Sequence, residues 1–196
     1  MIKAIIFDLN GVFIVSRRLS DRFDEDFGVP KDQFMNALNE IMSKVRLPNA
    51  GEAYDYWKPY LNEWKVNLES EEFYDYWFNA ESENKELVNV AKDLKSRGLK
   101  LIILSNNLRE RTGYYYQKFP QLFKLFDKTY FSWQTGFIKP DKRGFNLLLS
   151  ENNLKPEECI YFDDSQNNVE FAKSLGFESY LYDGVAGVAA TINKLL

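Results

Sequence analysis

Histidine is absent from this chain of 196 residues. Any general base, nucleophile or metal ligand must therefore come from Asp, Glu, Lys, Cys or Tyr. That excludes a Ser-His-Asp triad and histidine-based zinc sites. The single cysteine, Cys159, excludes an internal disulfide and fits a reducing compartment. Long apolar runs are also missing. The opening "MIKAIIFDLNG" is too short to span a membrane, and no small-residue cleavage site follows it, so a cytoplasmic protein without membrane partners is expected. Positive charge is not in excess: 25 basic side chains stand against 29 acidic ones, for a net charge of −4. The chain as a whole gives no case for nucleic acid, although a local basic pocket for an anion remains compatible with it. Internal repeats, low-complexity stretches and long linkers are missing too.

What is present reads as alternating strand and helix. "KAIIFDLN", "LKLIILSNN" and "ECIYFDDS" are near-continuous apolar runs, the kind that suits a parallel sheet covered on both faces. "NKELVNVAKDLKSRG" precedes the second run and stops on Gly98, and "QNNVEFAKSLGF" follows the third and stops on Gly176. "KTYFSW" and "ESYLY" are two further strand candidates. The pattern predicts an α/β fold with a doubly wound, Rossmann-like parallel sheet. Residues 17–82 break it. Phe34, Leu38, Ile41 and Val45 recur at helical spacing, as do Tyr54, Trp57, Leu61 and Trp64, and a further helix holds Phe73, Trp77 and Phe78. A bundle of about four helices is thus expected as a cap over 17–82, inserted into a core of 1–16 and 83–196. Its aromatic stripes read as core packing rather than a cofactor box, and Glu69 to Glu72 as the first turn of a helix rather than a metal site.

The polar residues that end the strands carry the chemistry. Ligands of an open parallel sheet collect at the carboxyl ends of its strands. The first run ends in Asp8 and Asn10, the second in Ser105, Asn106 and Asn107, the third in Asp163, Asp164 and Ser165. Lys139, in "GFIKPD", is placed to reach the same crevice. Clustered carboxylates repel one another unless a cation neutralises them, and oxygen-only ligands favour a hard ion such as Mg²⁺. A hydroxyl and backbone amides can hold phosphate oxygens, a lysine adds positive charge, and an aspartate in line with phosphorus can attack it. Each residue alone has a plainer reading, as a turn former, a helix cap or a solvated lysine. The ordered set points to phosphoryl transfer.

These residues resemble the four motifs of the haloacid dehalogenase superfamily. "IIFDLNG" resembles the first motif, "LIILSNN" the second, "IKPD" the third and "YFDDS" the fourth. The helical insert resembles the family's first cap class, and the whole is most similar to small bacterial sugar-phosphate phosphatases. The resemblance implies Asp8 as nucleophile and Mg²⁺ ligand, Ser105 and Asn106 as phosphate-binding residues, Lys139 as a catalytic and phosphate-facing cation, and Asp163 and Asp164 as metal acids. It implies a small phosphorylated metabolite as substrate and a monomer or homodimer.

One position departs from the pattern. The residue two beyond the nucleophile normally gives a backbone carbonyl to the metal and a carboxyl group as general acid and base. Asn10 keeps the carbonyl, but its amide cannot donate and retrieve a proton, a loss worth about 10²- to 10⁴-fold in rate. Three accounts stay open: a branch that works without this acid, a substitution introduced to stall the intermediate, or a binding or regulatory module. Dehalogenation is the enzymatic rival, since those members also lack the second acid. Their metal-free sites lack paired acids in the fourth motif, so Asp163 and Asp164 beside Asp8 favour phosphate over halide. Phosphonate cleavage would need a cap lysine, and the spacing of Lys44 does not single it out. Arg17, Arg18 and Arg46 are candidate substrate contacts, each also readable as a surface arginine. Tyr54, Tyr56 and Trp57 are candidates for the sugar side of the crevice, with core packing the stronger reading.

Overall fold

The computed structural model describes residues Met1 to Leu195. Its centre is a five-stranded parallel sheet made of β1 (Ala4–Phe7), β4 (Lys100–Ser105), β5 (Lys128–Phe131), β6 (Cys159–Asp163) and β7 (Glu178–Leu181), ordered β5-β4-β1-β6-β7. Strand β1 lies between β4 and β6, with Phe7 opposite Ile103 on one side and Phe162 on the other. Chain order reverses on either side of β1, so the crevice beyond its carboxyl end is where ligands of such sheets bind.

Alternation along these strands fills both faces. Ile5, Phe7, Leu101, Ile103, Ile160 and Phe162 pack into one buried cluster with Leu87, Ala91 and Leu94 of α5 (Lys85–Ser96) and Ile192 of α11 (Val185–Leu195). Ala4, Ile6, Ile102, Leu104 and Tyr161 pack into the other, with Phe145 and Leu148 of α9 (Lys142–Asn152) and Ala172 of α10 (Gln166–Ser174). Burial on two faces leaves no polar alternation, which is why the strands read as continuous apolar runs. Gly98 ends α5 in a left-handed conformation, φ 83°, where a side chain would be strained.

Between β1 and β4 the chain builds α1 (Leu19–Phe27), α2 (Lys31–Val45), α3 (Ala53–Glu63) and α4 (Ser70–Phe78). Their apolar stripes meet in a third cluster around Phe23, Phe34, Trp57 and Phe73. The Trp57 ring stacks on Phe34 at 5.2 Å and lies 5.4 Å from Phe73. Leu38 and Trp64, read from spacing as core, lie at its margin, partly buried. Glu69 and Glu72 form a capping box at the start of α4, the first-turn role their charge suggested. The two crossings into this helical layer pair as short antiparallel strands, β2 (Ile14–Val15) and β3 (Ser82–Glu83), and the Asn84 side-chain amide donates to the Val12 carbonyl at 3.1 Å. Among the described residues no helix is long and apolar enough to cross a membrane.

Candidate active site

Asp8 follows β1 directly, and its backbone N–H donates to the Phe162 carbonyl at 2.8 Å, holding it beside the end of β6. The Lys139 ammonium sits between two acids, 3.0 Å from Asp8 Oδ1 and 2.6 Å from Asp163 Oδ2. Only the second contact has the alignment of a hydrogen bond, so Asp8 Oδ1 is enclosed without a full partner. Burial pushes the Asp8 carboxyl above its usual range; Lys139 opposes that shift and Asp163 adds to it. Burial works against the Lys139 charge, yet the flanking carboxylates outweigh it and hold its proton more tightly than usual.

The two acids of "FDDS" divide their tasks. Asp163 is fully buried. Its Oδ2 accepts from Lys139, from the Tyr161 hydroxyl and from Asn168 Nδ2, and its Oδ1 accepts from the Ser165 N–H at 2.9 Å and from Asn168 at 3.1 Å. Asp164 is open to solvent on one side. Partial burial, then the charges of Asp8 and Asp163, push its carboxyl up to about 6. Carboxylate oxygens of Asp8, Asp163 and Asp164 all lie within 4.8 Å of one another. A hard divalent cation fits this cluster of three repelling acids, one of which, Asp164, retains its proton to unusually high pH. Gly11 admits the arrangement. With φ 81°, it lies so near Asp164 that an added Cβ would collide with Oδ2.

Ser105 ends β4, next to β1, and its buried Oγ has no hydrogen-bond partner. An orphaned hydroxyl at a strand end is a site for a ligand oxygen. The Asn106 side chain is occupied differently from the phosphate contact the resemblance implied. Its Oδ1 accepts from the Lys139 N–H at 2.7 Å and its Nδ2 donates to the Lys139 carbonyl at 3.0 Å, so it clamps the loop that aims the lysine. Asn107 exchanges hydrogen bonds with the Ser132 hydroxyl through its backbone N–H and carbonyl.

Asn10 is partly buried, and its Oδ1 accepts a hydrogen bond from the Tyr115 hydroxyl at 2.7 Å. Tyr115 lies on α6 (Arg109–Lys118), one turn past Arg111, which forms a buried ion pair with Glu81. Sequence reasoning missed Tyr115, Arg111, Glu81 and Tyr161. The first two sit at i, i+4 on the helix after the second motif, a spacing that puts them on one face toward the crevice.

A crevice of about 790 Å³ opens between Gly11, the β2 strand, α1 and α2, and Trp77 and Arg111 also line it. Arg17, Arg18 and Arg46 all border it. Tyr54, Tyr56 and Trp57 do not. Trp57 belongs to the aromatic cluster of the helices, and the Tyr54 hydroxyl donates to the Leu68 carbonyl at 2.9 Å. Lys44 is exposed and paired with Glu40.

A doubly wound sheet with an aspartate, a lysine and paired acids converging at its carboxyl edge defines a class of Rossmann-like enzymes whose sites are built from strand-end residues. Within that class, residues 2–176 match the model of the haloacid dehalogenase-like hydrolases, and the chain belongs to that family. Among curated proteins it is 28% identical over 196 residues to the Phosphorylated carbohydrates phosphatase of Thermotoga maritima, covering 97% of this chain and 87% of that one. It is 23% identical to the mouse Bifunctional epoxide hydrolase 2, where 99% of this chain spans only 39% of the relative's length. Among solved structures, a haloacid dehalogenase-family enzyme of Bacteroides thetaiotaomicron in complex with magnesium and inorganic phosphate superposes with a TM-score of 0.77 at 18% identity, over 96% of this chain and 99% of that one.

Proposed function

We propose that this protein is a Mg²⁺-dependent phosphatase acting on a small phosphorylated metabolite, a sugar phosphate by preference, with residues 17–82 as a cap over the crevice. The observation that carries the reading is the buried Asp8 carboxylate, 3.0 Å from Lys139 and within 4.8 Å of two further acids. The naming of the Thermotoga relative as a phosphatase of carbohydrates supports the substrate class.

Asp8, Asp164 and the Asn10 carbonyl would hold the metal directly. Asp163, with both oxygens already accepting protein donors, acts behind them by fixing Lys139. The bound cation would neutralise the acids and draw negative charge from the phosphoryl oxygens. An Asp8 oxygen attacks phosphorus in line, and the ester oxygen departs with its bonding electrons. Lys139 and the Ser105 hydroxyl hold the equatorial oxygens as charge builds on them. Water then attacks phosphorus of the aspartyl-phosphate, releasing inorganic phosphate and the Asp8 carboxylate. Asn10 contributes no proton to either step, so both are slow relative to a site with an acid at this position.

Phosphate release from an aryl phosphate and a panel of sugar phosphates, with Mg²⁺ and with chelator, tests this reading. Slow Mg²⁺-dependent release is expected, faster in Asn10→Asp and lost in Asp8→Ala. No release from any form would sink the phosphatase reading for those substrates. Phosphate binding without release, even by Asn10→Asp, would make the protein a binding module instead.

A further inference from the structure

The crevice is rich in cations, but most are already engaged. Arg17 pairs with Glu25 and Lys31 with Asp21. Arg22 donates to the Trp77 and Tyr76 carbonyls, and Arg111 is tied to Glu81. Arg18 is exposed. Arg46 differs from all of these. It stands one residue beyond α2, largely buried, and its enclosed Nε has no hydrogen-bond partner. No carboxylate forms an ion pair with it among the described residues.

Position makes this charge informative. Arg46 borders the same crevice as Gly11, the residue after Asn10, and also lines a second concavity that includes Ile138, the residue before Lys139. Pro48 packs against the loop that carries Lys139: a Cβ added to Gly136 would meet its ring at 3.6 Å. The end of α2 thus packs beside the loop bearing Lys139 and shares the crevice with the loop bearing Asn10. The charged groups that act on Arg46 are Arg111, which repels it, and Asp8, which attracts it. An unpartnered guanidinium held in a partly dry site is destabilised until an anion arrives.

We propose that Arg46 is a catalytic residue that stabilises the departing oxygen, supplying by charge what Asn10 cannot supply by protonation. The inference rests on the phosphatase reading above. As Asp8 attacks, the phosphorus–oxygen ester bond breaks and its electron pair stays on the leaving oxygen. That oxyanion leaves unprotonated, bound to the guanidinium N–H groups, and takes its proton from water after release. An enzyme working this way discriminates by leaving group. It favours phosphates of acidic hydroxyls, such as an anomeric sugar hydroxyl or an enol, over those of ordinary alcohols.

The test is a series of aryl and alkyl phosphates of rising leaving-group basicity, assayed for phosphate with Mg²⁺. The unmodified chain, Arg46→Gln, Arg46→Lys, and Asn10→Asp with and without Arg46→Gln are compared, each checked for folding by circular dichroism. Arg46→Gln is expected to lower kcat by about 10²-fold or more for basic leaving groups, and little for the most acidic aryl phosphate. Arg46→Lys should recover part of the loss. In the Asn10→Asp background the penalty should shrink, because the new acid protonates the leaving oxygen. A uniform loss across the series, or an unchanged penalty in Asn10→Asp, overturns the proposal. So does an effect confined to KM for substrates bearing a second anionic group, which would make Arg46 a distal anion site. If the unmodified chain and Asn10→Asp release no phosphate from any substrate, the phosphatase reading has failed instead, and this inference falls with it.

Discussion

Asp164→Asn should make the metal-free protein more stable at neutral pH while weakening its response to Mg²⁺. Asp164 holds its proton up to about 6, against an ordinary value of 3.8, because of partial burial and the charges of Asp8 and Asp163. A raised carboxyl value means the folded state binds the proton more tightly than the unfolded chain does. The associated stability is therefore fully present below the unfolded value and is lost as pH rises through about 6. The lift corresponds to a ceiling of about 3 kcal/mol. Solvent reaches the side chain, so screening leaves about 1–2 kcal/mol. Replacing Asp164 by Asn removes the repulsion at nearly constant shape. For a chain of this size the melting temperature at pH 7.5 should rise by about 3–6 °C without metal, and the difference should fade by pH 4.5. Millimolar Mg²⁺ should reverse the order, because a cation that binds only the folded state stabilises it by mass action. Thermal denaturation of both proteins from pH 4.5 to 8, with chelator and with Mg²⁺, makes the measurement. A variant no more stable than the parent at pH 7.5 in chelator, or equally stabilised by Mg²⁺, would refute the three-acid account.

Further expectations follow from other contacts. Gly11→Ala should lose about 1–3 kcal/mol, read by urea denaturation, because the residue keeps φ 81° and its new methyl group meets Asp164; Mg²⁺ affinity by calorimetry should fall with it. Trp57→Ala should lose about 3–5 kcal/mol by emptying the centre of the aromatic cluster, with the loss seen in urea denaturation. The Asn10–Gly11 pair should resist deamidation, since Gly11 N–H is bonded to the Ile14 carbonyl at 2.8 Å and Tyr115 holds the amide. Tyr115→Phe should age faster, as intact-mass spectrometry would reveal, and equal ageing would contradict the restraint.

The fold was legible because local signals agree with it. Buried parallel strands impose unbroken apolar runs, and Gly98 and Gly176 mark where helices must stop. The helical layer was legible from the spacing of Phe34, Trp57 and Phe73, which the packing of those rings explains. The strand-end acids were legible as a set because β1 lies between β4 and β6. What sequence could not apportion was the division of labour. Asp163 and Asp164 are neighbours of identical chemistry, yet the first ends β6 buried against Lys139, Tyr161 and Asn168, and the second, just past the strand, is exposed beside Gly11. Asn106 reads as a ligand residue beside Ser105, but its amide matches both polar groups of the Lys139 backbone. Tyr115 lies 105 positions from Asn10, and no local pattern announces a contact that only the packing of α6 against the sheet creates. Arg46 looks like a helix-ending surface arginine until the loop carrying Lys139 closes beside it.

The central claim is that Asp8 becomes phosphorylated and that Asn10 leaves the intermediate waiting for water. Rapid-quench kinetics with a nitrophenyl phosphate and Mg²⁺ tests it most directly, because such a leaving group departs without an acid and exposes the second step. The account predicts a burst of nitrophenol matching the enzyme concentration, phosphate release lagging behind it, no burst in Asp8→Ala, and a lag that shortens in Asn10→Asp. Nitrophenol and phosphate appearing together, at a rate that survives Asp8→Ala, would contradict it.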